Sequence, residues 1–530
     1  MRRSRRDAAV RRGSSPIFAP AAGDVLSEME PWLIPGHALA TSFPPIGMRE
    51  HQAIAAHDGD ELDRRDGPGD PALGCLGQSY TATDAAQMAS VLTPSDLTHM
   101  ANGQSRRKLK IAFIFMPINE IRPPVSLTSL CSSGDLVMDE LARRLARSHD
   151  VIAYCASGED QQKVEKFDGV EYRRMSTWLD RRLLNHQKIM RLIDLLCWQK
   201  MRQPFFNSVL WYRQFIGGVI SDPSLQDCDI VHIMNIPQFV PLVRARLPRT
   251  RIVLHMHSQW LEQLDSAVIE RRVKAADLVL GVSNFIAAGV RRRFPSLASR
   301  CRHIYNGVDI ELFARPPGVW PTPKRILYVG RLAPEKGVHI LLDAFRIVLA
   351  QHPDAHLELI GPERVLPREV LFPNCDDKYV LALESYFQPG AYRELLRTKI
   401  SQFPSSSITF LNQGIKFIEL MPHYHSANIF AFPSVCEESF GMPLIEAMAS
   451  STPVITTRGG AFPEIVEDGR SGLLVDRSDA QALANAILQL LANPDQHDAM
   501  AQAAFERAST LFSWDRIAKN LLEEYERLFV

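Results

Sequence analysis

From Leu109 onward, short apolar runs alternate with longer segments of helical period. "LKIAFIFM" (109–116) has the length and the β-branched and aromatic content of a buried parallel strand. "DLVMDELARRLARSHDV" follows as an amphipathic helix with Leu136, Met138, Leu141 and Leu145 near one stripe. "DVIAYCA", "DIVHIM", "RIVLHMH" and "ADLVLGVS" are further strands, with helical or loop sequence between them. After the proline-rich "PPGVWPTP" (316–323) the pattern restarts. "KRILYVG", "AHLELIG", "ITFLNQG", "ANIFAFPS" and "PVITTR" read as strands, and "GVHILLDAFRIVLAQ" and "PLIEAMAS" as helices. Such alternation implies parallel βαβ units. The expected architecture is α/β: two Rossmann-like domains facing a cleft, at 109–315 and 316–508. "WDRIAKNLLEEYERLF" supplies a closing helix, in 509–530, that packs back toward the N-terminal domain.

Residues 1–108 break this pattern. Six arginines fall in the first twelve residues, and "HDGDELDRRDGPGDP" is a Gly/Pro/Asp tract without periodicity, so a disordered extension is expected. Met100, nine residues before the first strand, is a candidate start. At 530 residues the chain exceeds one ordinary core, and 46% hydrophobic with 23% charged residues is a soluble globular balance. Lys plus Arg and Asp plus Glu stand at 60 each, so no global field points to nucleic acid. The eight cysteines show no metal-ligand spacing and fit reduced thiols in a cytoplasmic protein. One basic, apolar segment, 180–206, has two readings: peripheral contact with the inner face of a membrane, or a helical hairpin with solvated cations.

Ligands of parallel sheets bind beyond the carboxyl ends of the strands. In "YVGRLAPEKG" a strand ends at Gly330, and Arg331 and Lys336 follow before a helix. Two cations beside a helix N-terminus suit a diphosphate, although solvated loop charges are commoner. In "ESFGMPLIEAM" Gly441 permits close backbone approach, and Pro443 marks a helix start. Glu438 lies in the loop and Glu446 about one turn into the helix, where a carboxylate can accept from sugar hydroxyls or form a plain salt bridge. "TRGGAFPEIVEDGRSGLLV" adds Gly459, Gly460 and Glu464, a close-approach turn or an ordinary one.

Taken together, "VGRLAPEKG", "ESFGMPLIE" with its E-x7-E spacing, "PVITTRGGAFPEIVEDGRSGLLV" and "YNGVDIELF" (305–313) resemble the retaining glycosyltransferases of family 4, which have the GT-B fold. The resemblance runs from about Lys110 to the C-terminus. It implies that Arg331 and Lys336, with Gly330 at the strand end, hold a donor diphosphate. Glu446 would bind the nucleotide ribose and Glu438 would face the donor sugar, oriented by the Gly441 and Met442 amides. His257 of "VLHMHSQW" matches a histidine near the sugar and acceptor, and His255 would lie within the strand. Gly134 matches the family's glycine-rich N-terminal loop in part, with Ser133 where relatives often carry a second glycine. The implied reaction moves a sugar from a nucleotide-diphosphate sugar to a saccharide or lipid-linked acceptor with retention, in polysaccharide or glycoconjugate synthesis. No cofactor and no metal are expected, since side-chain cations take the place of a divalent ion. Competing readings are a non-catalytic nucleotide-sugar-binding protein, and an epimerase or phosphorylase of the same fold. A dehydrogenase is disfavoured because no GxGxxG follows the first strand. The 361–407 stretch is either an insertion or part of a site.

Overall fold

The computed structural model describes residues 107–125, 133–184, 208, 210–372 and 375–530. Most of the N-terminal extension, and residues 185–206 of the basic segment, lie outside the described residues.

The first domain is an eight-stranded sheet of order β3-β4-β2-β1-β5-β6-β7-β8. Its strands are β1 (Lys110–Ile114), β2 (Asp150–Ala156), β3 (Val164–Phe167), β4 (Val170–Met175), β5 (Ile230–Met234), β6 (Arg251–Met256), β7 (Leu278–Gly281) and β8 (Cys301–His303). All pairs are parallel except β3 with β4. The central strands are buried nearly end to end, which is why they read as continuous apolar runs. The β3–β4 hairpin escaped the hydrophobic pattern because it is an edge element. In β4 every second residue is only partly buried, and the turn rests on Asp168 and Gly169, both at positive φ. Helix α1 (Ser133–Ala146) buries Leu136, Met138, Leu141 and Leu145 as the stripe requires. It also buries Asp139 and Glu140, paired with Tyr172, Arg143 and Arg144. Helix α2 (Asn284–Arg293) leaves the end of β7.

The second domain is a parallel six-stranded sheet of order β11-β10-β9-β12-β13-β14. Its strands are β9 (Arg325–Val329), β10 (His356–Ile360), β11 (Ile408–Leu411), β12 (Ile429–Phe432), β13 (Val454–Thr457) and β14 (Gly472–Val475). Helix α3 (Val338–Gln351) follows β9, α4 (Phe417–Ser426) precedes β12, α5 (Met442–Ala449) follows β12, and the short α6 (Phe462–Ile465) follows β13.

Helix α7 (Pro494–Leu511) runs across the expected 508/509 boundary, and the chain breaks at Phe512–Ser513 instead. Helix α8 (Trp514–Glu526) then buries Trp514, Ile517, Ala518, Leu521 and Tyr525, a face of helical period. It returns to the first domain: Asp515 meets Arg144 and Arg147, each at 3.0 Å, and Tyr525 reaches His232. Among the described residues no helix is long and apolar enough to cross a membrane.

Candidate active site

The strand-to-loop transition at Gly330 occurs as the sequence implies, directly after β9. The chain then turns through Pro334–Lys336 into Gly337, at φ +72°, which opens α3. A Cβ at Gly337 would stand 2.0 Å from the Pro433 carbonyl oxygen, so only glycine lets this turn press against the end of β12. That contact brings Lys336 to Glu438, with Nζ donating to Oε1 at 2.5 Å. Ser434 Oγ lies 2.6 Å from the same carboxylate oxygen and 3.0 Å from the Glu335 carbonyl. The Lys336 ammonium also sits 5.6 Å from the Phe432 ring centroid. Burial alone would raise the Glu438 pKa, but Lys336, the Ser434 hydroxyl and Arg331 more than offset it and hold the carboxyl below its ordinary range. Desolvation opposes the charge on Lys336, and Glu438 outweighs it, so the ammonium is retained. Both partners are therefore charged at neutral pH.

Arg331 is aimed by its neighbours. Nη2 donates to Glu335 Oε1 at 2.7 Å, and Nη1 to the Arg364 carbonyl at 2.9 Å. Gly441, at φ +134°, caps α5, and a Cβ there would meet the Phe462 ring at 2.8 Å. Met442 is the first residue of α5, so the Gly441–Met442 amides lie at its positive end. Glu446 is 5% exposed and accepts from the Tyr424 hydroxyl of α4 at 2.7 Å. Burial pushes its pKa up to about 7, against the opposing pull of that hydroxyl. The two glutamates of the E-x7-E stretch thus stand in opposite electrostatic settings.

In the first domain, His255 lies in β6 and His257 just beyond it, where the strand reading puts them. The His257 amide donates to Asn235 Oδ1 at 2.6 Å, and its ring packs 4.4 Å from that of His255. His255 Nδ1 is 3.2 Å from His232 Nε2, and His232 Nδ1 is 2.6 Å from the Tyr525 hydroxyl. Burial lowers the pKa of His257 to about 4, that of His232 to about 3, and that of His255 well below 6.5. These rings are neutral at pH 7. Gly134 sits in the first turn of α1, and the 126–132 segment before it lies outside the described residues.

Sequence reasoning missed Ser434, Tyr424, Asn235 and Glu335. Ser434 carries a faint signal, as the polar residue ending the "AFPS" strand. Tyr424 carries none, because α4 contains Pro422 and does not read as a helix. The 361–407 stretch leaves the end of β10, and its Asp377 bonds Arg477, two residues past β14, at 2.5 Å. Tyr379 lies 4.4 Å from the Arg477 guanidinium, which also donates to the Val435 carbonyl at 3.2 Å. The stretch therefore reaches the side of the sheet where the site residues lie. Among the described residues no group of three or more His, Cys, Asp or Glu has metal-holding geometry, and Cys155, Cys228, Cys301, Cys375 and Cys436 are free thiols.

Two parallel-sheet domains, joined near 316–323 and closed by a returning C-terminal helix, define the GT-B fold. Comparison with known proteins supplies the family. The model of "Glycosyl transferases group 1" matches residues 310–507, and that of "Glycosyltransferase Family 4" matches residues 136–312. Spore coat protein SA of Bacillus subtilis is 24% identical over 409 residues, 74% of this chain and 94% of its own. The D-inositol 3-phosphate glycosyltransferase of Thermobifida fusca is 28% identical over 414 residues, 73% and 86% of the two chains. Among solved structures, Anabaena HepE in complex with UDP-glucose superposes with a TM-score of 0.54 at 20% identity, covering 79% of this chain and 100% of that one. The chain belongs to the family 4 glycosyltransferases and is a transferase enzyme.

Proposed function

We propose that this enzyme moves a sugar from a nucleotide-diphosphate sugar to an acceptor hydroxyl with retention of anomeric configuration, the acceptor being a saccharide or lipid-linked saccharide. The carrying observation is the Lys336–Glu438 pair, with Arg331 bonded to Glu335, the residue before Lys336, beside the N-terminus of α5. Negative charge develops on the leaving diphosphate. Lys336 has two further N–H groups for it, Arg331 has donors left over from Glu335 and Arg364, and the α5 dipole adds to both. Glu438 keeps Lys336 in place and bears on the donor sugar. Glu446 receives the ribose hydroxyls, which favour its ionised form. His257, neutral and at a strand end of the first domain, belongs to the sugar and acceptor side, and Gly134, in the first turn of α1, is assigned to the same side. Side-chain cations substitute for a divalent ion in this scheme.

The test is to follow sugar release from UDP-glucose first, the donor bound by the HepE fold relative, and then from other nucleotide sugars. Reading the anomeric proton by NMR before mutarotation should show the donor's configuration and no loss of rate in chelator. An inverted product would refute retention. Loss of rate in chelator that magnesium restores would refute the metal-independent scheme.

A further inference from the structure

The glycine-rich stretch after β13 ends in Glu464, which the donor chemistry above does not use. Its carboxylate crosses to the other domain. Oε2 accepts from the Asn284 amide at 2.8 Å and Oε1 from the Phe285 amide at 2.5 Å, the first two amides of α2. The Tyr305 hydroxyl donates to Oε2 at 3.2 Å. Ser283 caps the same helix by accepting from Ile286, and its hydroxyl lies 2.7 Å from the Ser439 carbonyl, next to Glu438. The opening amides of α2, which have no acceptor within their own helix, are thus met largely by the other domain.

Each end of this contact is tied to a reacting side. On the donor side, Ala461 donates to the Glu438 carbonyl at 2.9 Å. A Cβ at Gly460, which has φ +59°, would fall 2.2 Å from that same oxygen, so the two loops are stacked backbone on backbone. Arg507 braces α6 from behind, bonding the Ile465 and Glu464 carbonyls at 2.7 and 2.9 Å. On the acceptor side, Val282, one residue ahead of the Ser283 cap, donates to Met256 at 2.9 Å, and Met256 precedes His257. Hydrogen bonds and short runs of main chain therefore link the Glu438 carbonyl through Glu464 and α2 to His257.

We propose that Glu464 is a positioning residue: its carboxylate grips the N-terminus of α2 and fixes the Glu438 loop against the His257 loop when the two domains are together. This rests on the donor and acceptor reading above. Glu464 itself touches neither substrate.

The experiment is hydrogen exchange on the full chain with and without UDP-glucose, comparing wild type, Glu464→Gln, Glu464→Asp and the exposed control Asp476→Asn. Gln keeps the shape but loses the charge, and Asp keeps the charge but loses the reach. Both should speed exchange at Asn284 and Phe285 about tenfold, the scale of one lost charge-assisted bond. For Glu464→Gln, kcat should fall about tenfold while the donor dissociation constant stays within about twofold, the pattern of a lost alignment rather than a lost binding contact. Unchanged exchange at these two amides in both variants would overturn the proposal. So would a donor affinity that falls in step with kcat, because Glu464 would then belong to the donor site. Failure of the underlying reading has a separate signature: wild type would bind no nucleotide sugar, while the exchange data would still report on the contact.

Discussion

At the carboxyl end of the second sheet, Lys336 and Glu438 are charged and held 2.5 Å apart, whereas across the first sheet the buried His232 and His255 and the partly buried His257 are neutral. The two domains share a fold and differ in what burial has done to their polar groups. A diphosphate leaving group needs charge that is already in place, and a pair of opposite charges can be desolvated together. In the proposed scheme a hydroxyl acceptor is itself uncharged and calls for no fixed charge. Glu446 stands between these cases: it is in the charged domain, but with its pKa near 7 it is an acid that a ligand can ionise.

Breaking the pair should give the largest effect. Lys336→Ala removes phosphate stabilisation and strands Glu438, so kcat/KM should drop by about three orders of magnitude and stability by about 3 kcal/mol. In a double-mutant cycle, Glu438→Ala should restore part of that stability, since the stranded, partly buried charge goes with it.

Glu446→Gln comes next. Losing two charge-assisted bonds to ribose should weaken nucleoside diphosphate binding by about a hundredfold, measured by calorimetry at pH 8. The same change should stabilise the unliganded protein at pH 8. A carboxyl whose folded pKa lies above its unfolded 4.5 binds more protons when folded, so its contribution declines as pH rises from 4.5 to about 7. For the same reason, wild-type affinity for nucleoside diphosphate should increase from pH 6 to pH 8.

The histidines have the opposite sign. Their folded pKa values lie below 6.5, so the unfolded chain takes up protons first, and stability is lost as pH falls from 6.5 toward 4. Between pH 4.5 and 6.5 the two sheets therefore oppose each other, and denaturant titrations of Glu446→Gln should show a steeper rise of stability with pH than wild type. Equal slopes would remove the contrast between the two sheets. The smallest effect is expected from Tyr525→Phe, about 1 kcal/mol of stability for one buried hydrogen bond to His232.

The sequence made the second domain easy to read because its candidate site residues lie where strands end and glycines fall. Gly337, Gly441 and Gly460 are there because backbone or ring atoms leave no room for a Cβ, and Gly337 directly follows Lys336. Contacts made across the fold left no such trace. Tyr424 meets Glu446 from a helix interrupted by proline, Asn235 holds the His257 amide from the neighbouring strand, and Glu464 finds its partners 179 and 180 positions away. The β3–β4 edge hairpin was missed for a different reason, since its alternating, half-buried residues do not form the apolar runs that mark the central strands.

The most direct test of the charged pair's role is a thermal-shift comparison of wild type and Lys336→Ala against UDP-, GDP- and ADP-sugars. A donor at about 100 times its dissociation constant should stabilise the wild type by about 2.7 kcal/mol, selectively for one nucleotide, and leave the variant unmoved. Equal stabilisation of both proteins would contradict the assignment of Lys336 to the diphosphate, and with it the claim that charge already in place at the end of the second sheet receives the leaving group.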